Sequence, residues 1–227
     1  MSLGRVAVIG GTGDLGFGLA LRLAKAGYRV VIGSRSGEKA VKASREAGNL
    51  LGGDAYIEGE ENSKAAEKAD VVILSIPFKG LESIIEAIKD KLSRDAIVVS
   101  CIVPLNESVG NFNSAAEYVS YLLKDRNQNI VAAYHTVSAE KLREITNSVN
   151  CDTIILGDEK SIKKRIAEIT YSIEGLRPID GGALKNAAIV ERITPLLIAI
   201  NRKYKIRDAG IRITGLADEE VRRRWLE

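Results

Sequence analysis

The chain has 227 residues, 45% of them hydrophobic and 28% charged, a balance that suits one well-filled globular body with at most a modest appendage and excludes large-scale disorder. Its 33 basic residues against 30 acidic ones leave a formal charge of +3, which gives no ground for a nucleic-acid partner. Two cysteines without CxxC spacing and a single histidine argue against a structural zinc site, and the longest apolar stretch, 193–200, is far too short to span a bilayer.

The first β-branched run, Arg5–Ile9, starts too early to leave room for a cleavable signal segment, so a cytoplasmic enzyme or binding protein is expected. Further strand-like runs follow at 28–32, 55–58, 70–75, 96–101, 130–134, 153–156 and 176–179. Between them lie stretches of helical period at 15–26, 38–47, 81–92, 114–123, 139–148 and 159–173. On the first of these helices Leu15, Leu19, Ala20 and Leu23 share one face, Arg22 and Lys25 another, and Gly27 is placed to end it. This alternation predicts an α/β fold: a Rossmann-type, doubly wound, mainly parallel sheet. A periodic run at 184–204, which Pro195 should kink or restart, and a segment at 217–225 with acids first and bases last read as a small C-terminal helical unit.

The run Gly10-Gly11-Thr12-Gly13-Asp14-Leu15-Gly16 carries GxGxxG at Gly11, Gly13 and Gly16, directly after a strand and opening a helix. The three glycines serve different physical ends. Gly11 permits the tight turn, Gly13 lets the backbone approach a pyrophosphate, and Gly16 lets the helix pack close, while free amides at the helix start face the anion. Thr12, Asp14 and Leu15 stand in the same turn, and Gly18 adds a further close approach. At the end of the second strand, where an acidic residue would hold an NAD ribose, the chain reads Gly33-Ser34-Arg35. A hydroxyl and a guanidinium bind a 2′-phosphate through charge-assisted hydrogen bonds, and Lys39 one turn on adds a second cation; this predicts NADP(H). The plain alternative for Arg35 is a solvated loop residue. After the fourth strand, Ser75-Ile76-Pro77-Phe78 lies at the carboxyl edge where ligands sit, although Pro77 reads equally well as a loop former.

The Gly-rich run with Gly33-Ser34-Arg35 resembles the archaeal NADPH-dependent reductases of the deazaflavin coenzyme F420. Similar stretches continue through Ser75-Ile76-Pro77, Val99-Ser100, Val103-Pro104, Ala133-Tyr134-His135-Thr136-Val137, the segment 175–181 and the segment 190–196. The resemblance implies direct hydride transfer between NADP(H) and coenzyme F420, with the deazaflavin as small-molecule co-substrate and the protein serving to position the two. It divides the chain into an NADP-binding Rossmann domain, 1–158, and a small α/β-helical unit, 159–227, that completes the substrate cleft. Carried over by position, Thr12 and Leu15 meet the diphosphate or nicotinamide side, Ser34, Arg35 and Lys39 hold the 2′-phosphate, and Ile76 and Pro77 line the cofactor channel. His135 and Val137 shape the contact between the two rings, with Val137 as an apolar spacer; without the resemblance, His135 reads as a hydrogen-bonded structural histidine at a strand end. No acid, base or metal is implied. The chain departs from the family pattern at 105–114 and in a tail at 214–227.

Two other readings compete. One is an NADPH-dependent reductase of a flavin, an imine or a small carbonyl compound; Lys185 would be the catalytic lysine of a β-hydroxyacid dehydrogenase, but the helical run after it is short. The other is an NADP(H) redox sensor without turnover, which calls for a filled nicotinamide pocket and an exposed apolar patch on the tail. A homodimer through 193–200 is a further expectation, although burial within a monomer accounts for that stretch nearly as well.

Overall fold

A computed structural model describes residues 4–67, 69–124 and 129–226. Six strands form the central sheet: β1 (Arg5–Ile9), β2 (Arg29–Ser34), β3 (Ile57–Glu61), β4 (Val71–Leu74), β5 (Ile97–Ser100) and β6 (Ile130–Ala132). Their spatial order is β3-β2-β1-β4-β5-β6, every pairing is parallel, and the order reverses between β1 and β4. That is the Rossmann arrangement expected from the sequence. Residues of α1 (Asp14–Lys25), α2 (Gly37–Leu50) and α7 (Lys160–Tyr171) fill the core on one face of the sheet; α3 (Asn62–Ala66), α4 (Leu81–Ile88) and α5 (Ala115–Leu122) fill it on the other. With both faces covered, β4 and β5 are buried at every position, which is why they read as unbroken apolar runs. The five-residue α3 has no counterpart among the sequence expectations.

Gly27 ends α1 as expected. At φ +91° its N–H reaches Ala24 O while Tyr28 N–H reaches Leu23 O, closing a Schellman turn that a Cβ would strain. The face of α1 that carries Arg22 also packs inside the molecule. Arg22 is buried, and its guanidinium donates to the carbonyls of Lys141, Leu142, Glu144 and Asn147 at 2.7–2.9 Å. A buried cation is tolerable when its donors are met, and here they cap α6 (Ala139–Arg143), which stops short of the expected 148.

The last two strands do not extend the main sheet. β7 (Cys151–Ile155) and β8 (Leu176–Asp180) pair in parallel with each other and join β6 through one antiparallel bridge, Ala132 to Leu156. The chain after β6 stays at the carboxyl edge, where Tyr134 N–H donates to Thr153 Oγ1 and Thr136 Oγ1 to Asp152 O, so β7 leaves that edge in reverse. Arg177 of β8 grips the fully buried Asp152 of β7 at 2.7 and 2.8 Å and also donates to Ile213 O, Leu216 O and Asp218 Oδ1, so all five guanidinium N–H groups are placed.

The run at 184–204 divides at Arg192 into α8 (Ala187–Glu191) and α9 (Ile193–Tyr204). Pro195 falls in the first turn of α9, where an amide has no intrahelical partner, so the helix continues through it. Glu191 is buried, and its carboxylate accepts Ala115 N–H at 2.8 Å and Ala116 N–H at 3.0 Å at the start of α5, fastening α8 to the main body. α10 (Asp218–Leu226) docks on β8 through Val221 and Trp225, the indole N–H donating to Pro178 O at 2.8 Å. Among the described residues no helix is long and apolar enough to cross a membrane.

Candidate active site

Most glycines of the turn after β1 are demanded by the protein's own backbone. A Cβ on Gly10, at φ +76°, would lie 2.3 Å from Ser75 O; one on Gly11, 2.8 Å from Val8 O; one on Gly16, 2.8 Å from Gly10 O. Gly13 differs. At φ −82° it needs no special conformation, and its Cβ would meet only Gly10 O at 3.4 Å. The fold therefore leaves the space above Gly13 open, at the start of α1, where Thr12, Gly13 and Asp14 are exposed and no side chain caps the helix. Open backbone amides at a helix start suit a phosphate. Gly18 serves helix packing instead: its Cβ would fall 2.6 Å from Leu142 Cβ of α6.

At the end of β2, Ser34 is buried and its Oγ accepts the Ser36 N–H at 3.3 Å, while Ser36 caps α2 by accepting the Lys39 N–H. The side chains of Arg35 and Lys39 stand in solvent, and neither is held in an ion pair among the described residues. At the end of β4, Ile76 is buried against the Gly-rich turn, with its Cγ2 2.7 Å from the place a Gly10 Cβ would take. Pro77 is exposed and introduces the short 3-10 turn Phe78–Gly80 ahead of α4.

Next along the same edge, a cavity of about 430 Å³ opens between the ends of β5 and β6, the start of α1, and α9. Its wall brings together Asp14, Leu15, His135 and Val137 with Cys101, Val103, Tyr134, Thr194, Leu197, Ile198, Asn201 and Arg207. Ser34, Arg35, Lys39, Ile76, Pro77 and Thr12 lie outside it. From β2 to β6 the edge crosses four strand spacings, roughly 19 Å, the reach of a long two-part ligand rather than of a compact one. A larger cavity of about 550 Å³, between α7, β8 and α10, contains none of these residues in its wall.

His135 is 4% exposed, and among the described residues neither ring nitrogen has a partner that meets strict hydrogen-bond geometry. Burial pushes its pKa down to about 4, with the Ile102 backbone opposing weakly, so the imidazole is neutral near pH 7. The residue's backbone is held by α9, its carbonyl accepting Thr194 Oγ1–H at 2.8 Å. Thr194 stood inside a family-like stretch, but spacing alone gave no sign that it faces His135. Burial raises the Cys101 thiol far above its usual range, and Asp14 is drawn outward to Arg143 at 3.1 Å. The rest of the wall is mostly apolar, with Leu15, Val137, Leu197 and Ile198 around the neutral ring and Ser138, Glu140, Asn201 and Arg207 as its polar members, a lining suited to heterocycles that carry polar substituents.

The family model described as "NADP oxidoreductase coenzyme F420-dependent" matches residues 5–104. The F420-dependent NADP reductase of Methanothermobacter thermautotrophicus is 40% identical over 226 residues, covering 95% of this chain and 97% of that one. Its counterpart in Methanocaldococcus jannaschii is 42% identical over 224 residues, covering 93% and 99%. This chain belongs to the F420-dependent NADP reductase family. The family model ends just beyond β5, so it takes in the Gly-rich turn, Ser34–Arg35 and Ile76–Pro77, while the His135 segment and α9 are matched through the full-length relatives. A crystal structure from Arthrobacter sp. FB24, provisionally assigned as an F420-dependent NADP reductase, shares the fold at TM-score 0.77 and 19% identity, covering 93% of this chain and 99% of its own.

Proposed function

We propose that this reductase passes a hydride directly between NADP(H) and coenzyme F420. The observation that carries the reading is the cavity that joins Leu15 of the Gly-rich turn to His135, Val137 and the apolar side chains of α9 at the carboxyl edge of the sheet. When bound, the two cofactors supply the chemistry: a hydrogen leaves one nicotinamide carbon with its electron pair for a deazaflavin carbon, a solvent proton completes the reduced deazaflavin, and NADP⁺ remains. The chain's residues bind and orient. Gly11, Thr12, Gly13, Asp14, Leu15 and Gly16 form the diphosphate cradle, and Ser34, Arg35 and Lys39 receive the 2′-phosphate through charge-assisted hydrogen bonds. Ile76 and Pro77, just past β4, border the path from that cradle toward the cavity at β5 and β6, and the apolar walls keep water from the rings. Val137 sets how closely they meet, and His135, uncharged, leaves the positive nicotinamide unopposed.

Residues 1–158 hold NADP(H) in this scheme, and 159–227 contribute α9 as the outer wall of the cleft. The free, buried Cys101 and Cys151 agree with a reducing cytoplasm. A second copy of the chain covers α9, which has no buried residue despite its apolar sequence; Leu196 of α9 is 60% exposed and the neighbouring Ile189 of α8 67%.

Features of the competing readings find less support. Lys185 is exposed and outside the cleft wall, which weakens a lysine-dependent carbonyl or imine reduction. A sensor with a filled pocket and an exposed tail fits poorly with an open cavity and a buried Trp225. The test is anaerobic mixing of protein, NADPH and oxidised F420. Bleaching of the deazaflavin with NADPH and not NADH is expected; NADPH binding without bleaching would reject the acceptor and leave the nucleotide site intact.

A further inference from the structure

Tyr134 occupies a backbone conformation that bulky side chains avoid: φ is +69°, in the left-handed region, yet the residue is fully buried at the end of β6. Local sterics there favour glycine or asparagine, so a tyrosine held in this state is constrained by its surroundings. The constraints are visible. Tyr134 N–H donates to Thr153 Oγ1 of β7 at 2.7 Å, and the phenol lies 2.9 Å from Thr170 Oγ1 of α7. Because the Thr170 hydroxyl spends its proton on Ile166 O at 2.8 Å, Tyr134 is the donor to Thr170.

The bend has a geometric result. Along β6, Ile130 and Ala132 belong to the core on one face and Val131 to the other, as strand alternation requires. Continued alternation would send Ala133 and Tyr134 to opposite faces, but both join the same side as Val131. The left-handed residue therefore switches the chain out of strand register one position before His135 and three before Val137. Each following group is fixed in its new place: His135 O accepts from Thr194, Thr136 O from Ile211 N–H, and Ser138 Oγ donates to Arg207 O.

We propose that Tyr134 is a positioning residue for hydride transfer: its locked left-handed turn sets where His135 and Val137 stand against α9. The proposal rests on the hydride-transfer reading above. Its test uses the full chain as Tyr134→Phe, Thr170→Val and the double variant, in single-turnover mixing of NADPH or 4-deuterated NADPH with F420. Removing either end of the phenol bond should slow hydride transfer about tenfold while KM for NADPH stays within about twofold. The primary isotope effect should rise, and the double variant should be no slower than either single one. An unchanged transfer rate in Tyr134→Phe, or a rate that falls in step with KM and thermal stability without a change in isotope effect, would overturn it. An inactive wild-type chain would instead remove the hydride-transfer reading itself.

Discussion

An alanine at position 13 would set its Cβ 3.4 Å from Gly10 O, an ordinary contact, whereas at position 16 the Cβ would press to 2.8 Å on the same oxygen and 2.9 Å on Gly11 Cα. The two substitutions should therefore part company. Gly13→Ala should unfold at a urea midpoint close to wild type but bind NADPH at least about tenfold more weakly, since a methyl group then occupies the phosphate's approach. Gly16→Ala should lose about 1–3 kcal/mol of stability in the same titration, from overpacking against backbone that cannot yield. At Arg35 the expectation concerns discrimination between nucleotides. Arg35→Ala removes a charge-assisted partner of the 2′-phosphate, so the NADPH Kd should rise by about 10- to 100-fold with NADH nearly unaffected; equal weakening of both would show that Arg35 is only a solvated loop residue.

At the scale of elements, two buried titratable groups hold the helical unit and the sheet edge and pull stability in opposite directions with pH. Burial pushes Glu191 up to about 7, against the two backbone N–H bonds that favour its charge. The folded state then holds that proton more tightly than the unfolded chain, whose glutamate titrates near about 4.3, so the stability it contributes is full below about 4.3 and lost as pH rises toward 7. His135 behaves inversely: with its folded pKa at about 4 against about 6.5 unfolded, its contribution is full above 6.5 and lost as pH falls toward 4. Each slope is at most about 1.4 kcal/mol per pH unit, and between about 4.3 and 6.5 they cancel. Urea titrations across that window should show that, relative to wild type, His135→Asn loses stability as pH rises and Glu191→Gln gains it. The elements themselves were largely legible, because buried parallel strands announce themselves as β-branched runs and Gly27 marks a helix end. The reversal at β7 was not, since it depends on Thr136 and Tyr134 bonding to residues almost twenty positions away. Nor was the role of Arg22, which caps the end of α6 about 120 positions further along the chain.

For the molecule as a whole, the nucleotide end of the site could be read from the chain because its determinants are local: a glycine spacing and two cations just beyond a strand. The ring end could not, since it is assembled from β5, β6, α9 and the loop at Arg207, which meet only in three dimensions; there the family resemblance pointed to His135 and Val137, and Thr194 emerged from the fold. Because α9 is both the cleft's wall and the apolar outer surface assigned to a second copy, association and catalysis should be linked. Leu196→Glu places a charge on that surface, and sedimentation should then show a shift from dimer to monomer; a wild type that sediments as a monomer at all concentrations would refute the assembly.

Trp225 is the chain's one tryptophan, fixed with its indole N–H on Pro178 O and 5% exposed. Optically, this makes the molecule a lamp with a single filament of known position. Its near-ultraviolet emission overlaps the absorption band of a reduced nicotinamide and not that of the oxidised one, so excitation energy should pass to bound NADPH and be returned as blue sensitised light. The same lamp should dim as hydride is received from reduced F420 and brighten again as it departs, giving a label-free trace of cofactor redox state, while a red shift of the emission would time the moment α10 lets go of the sheet.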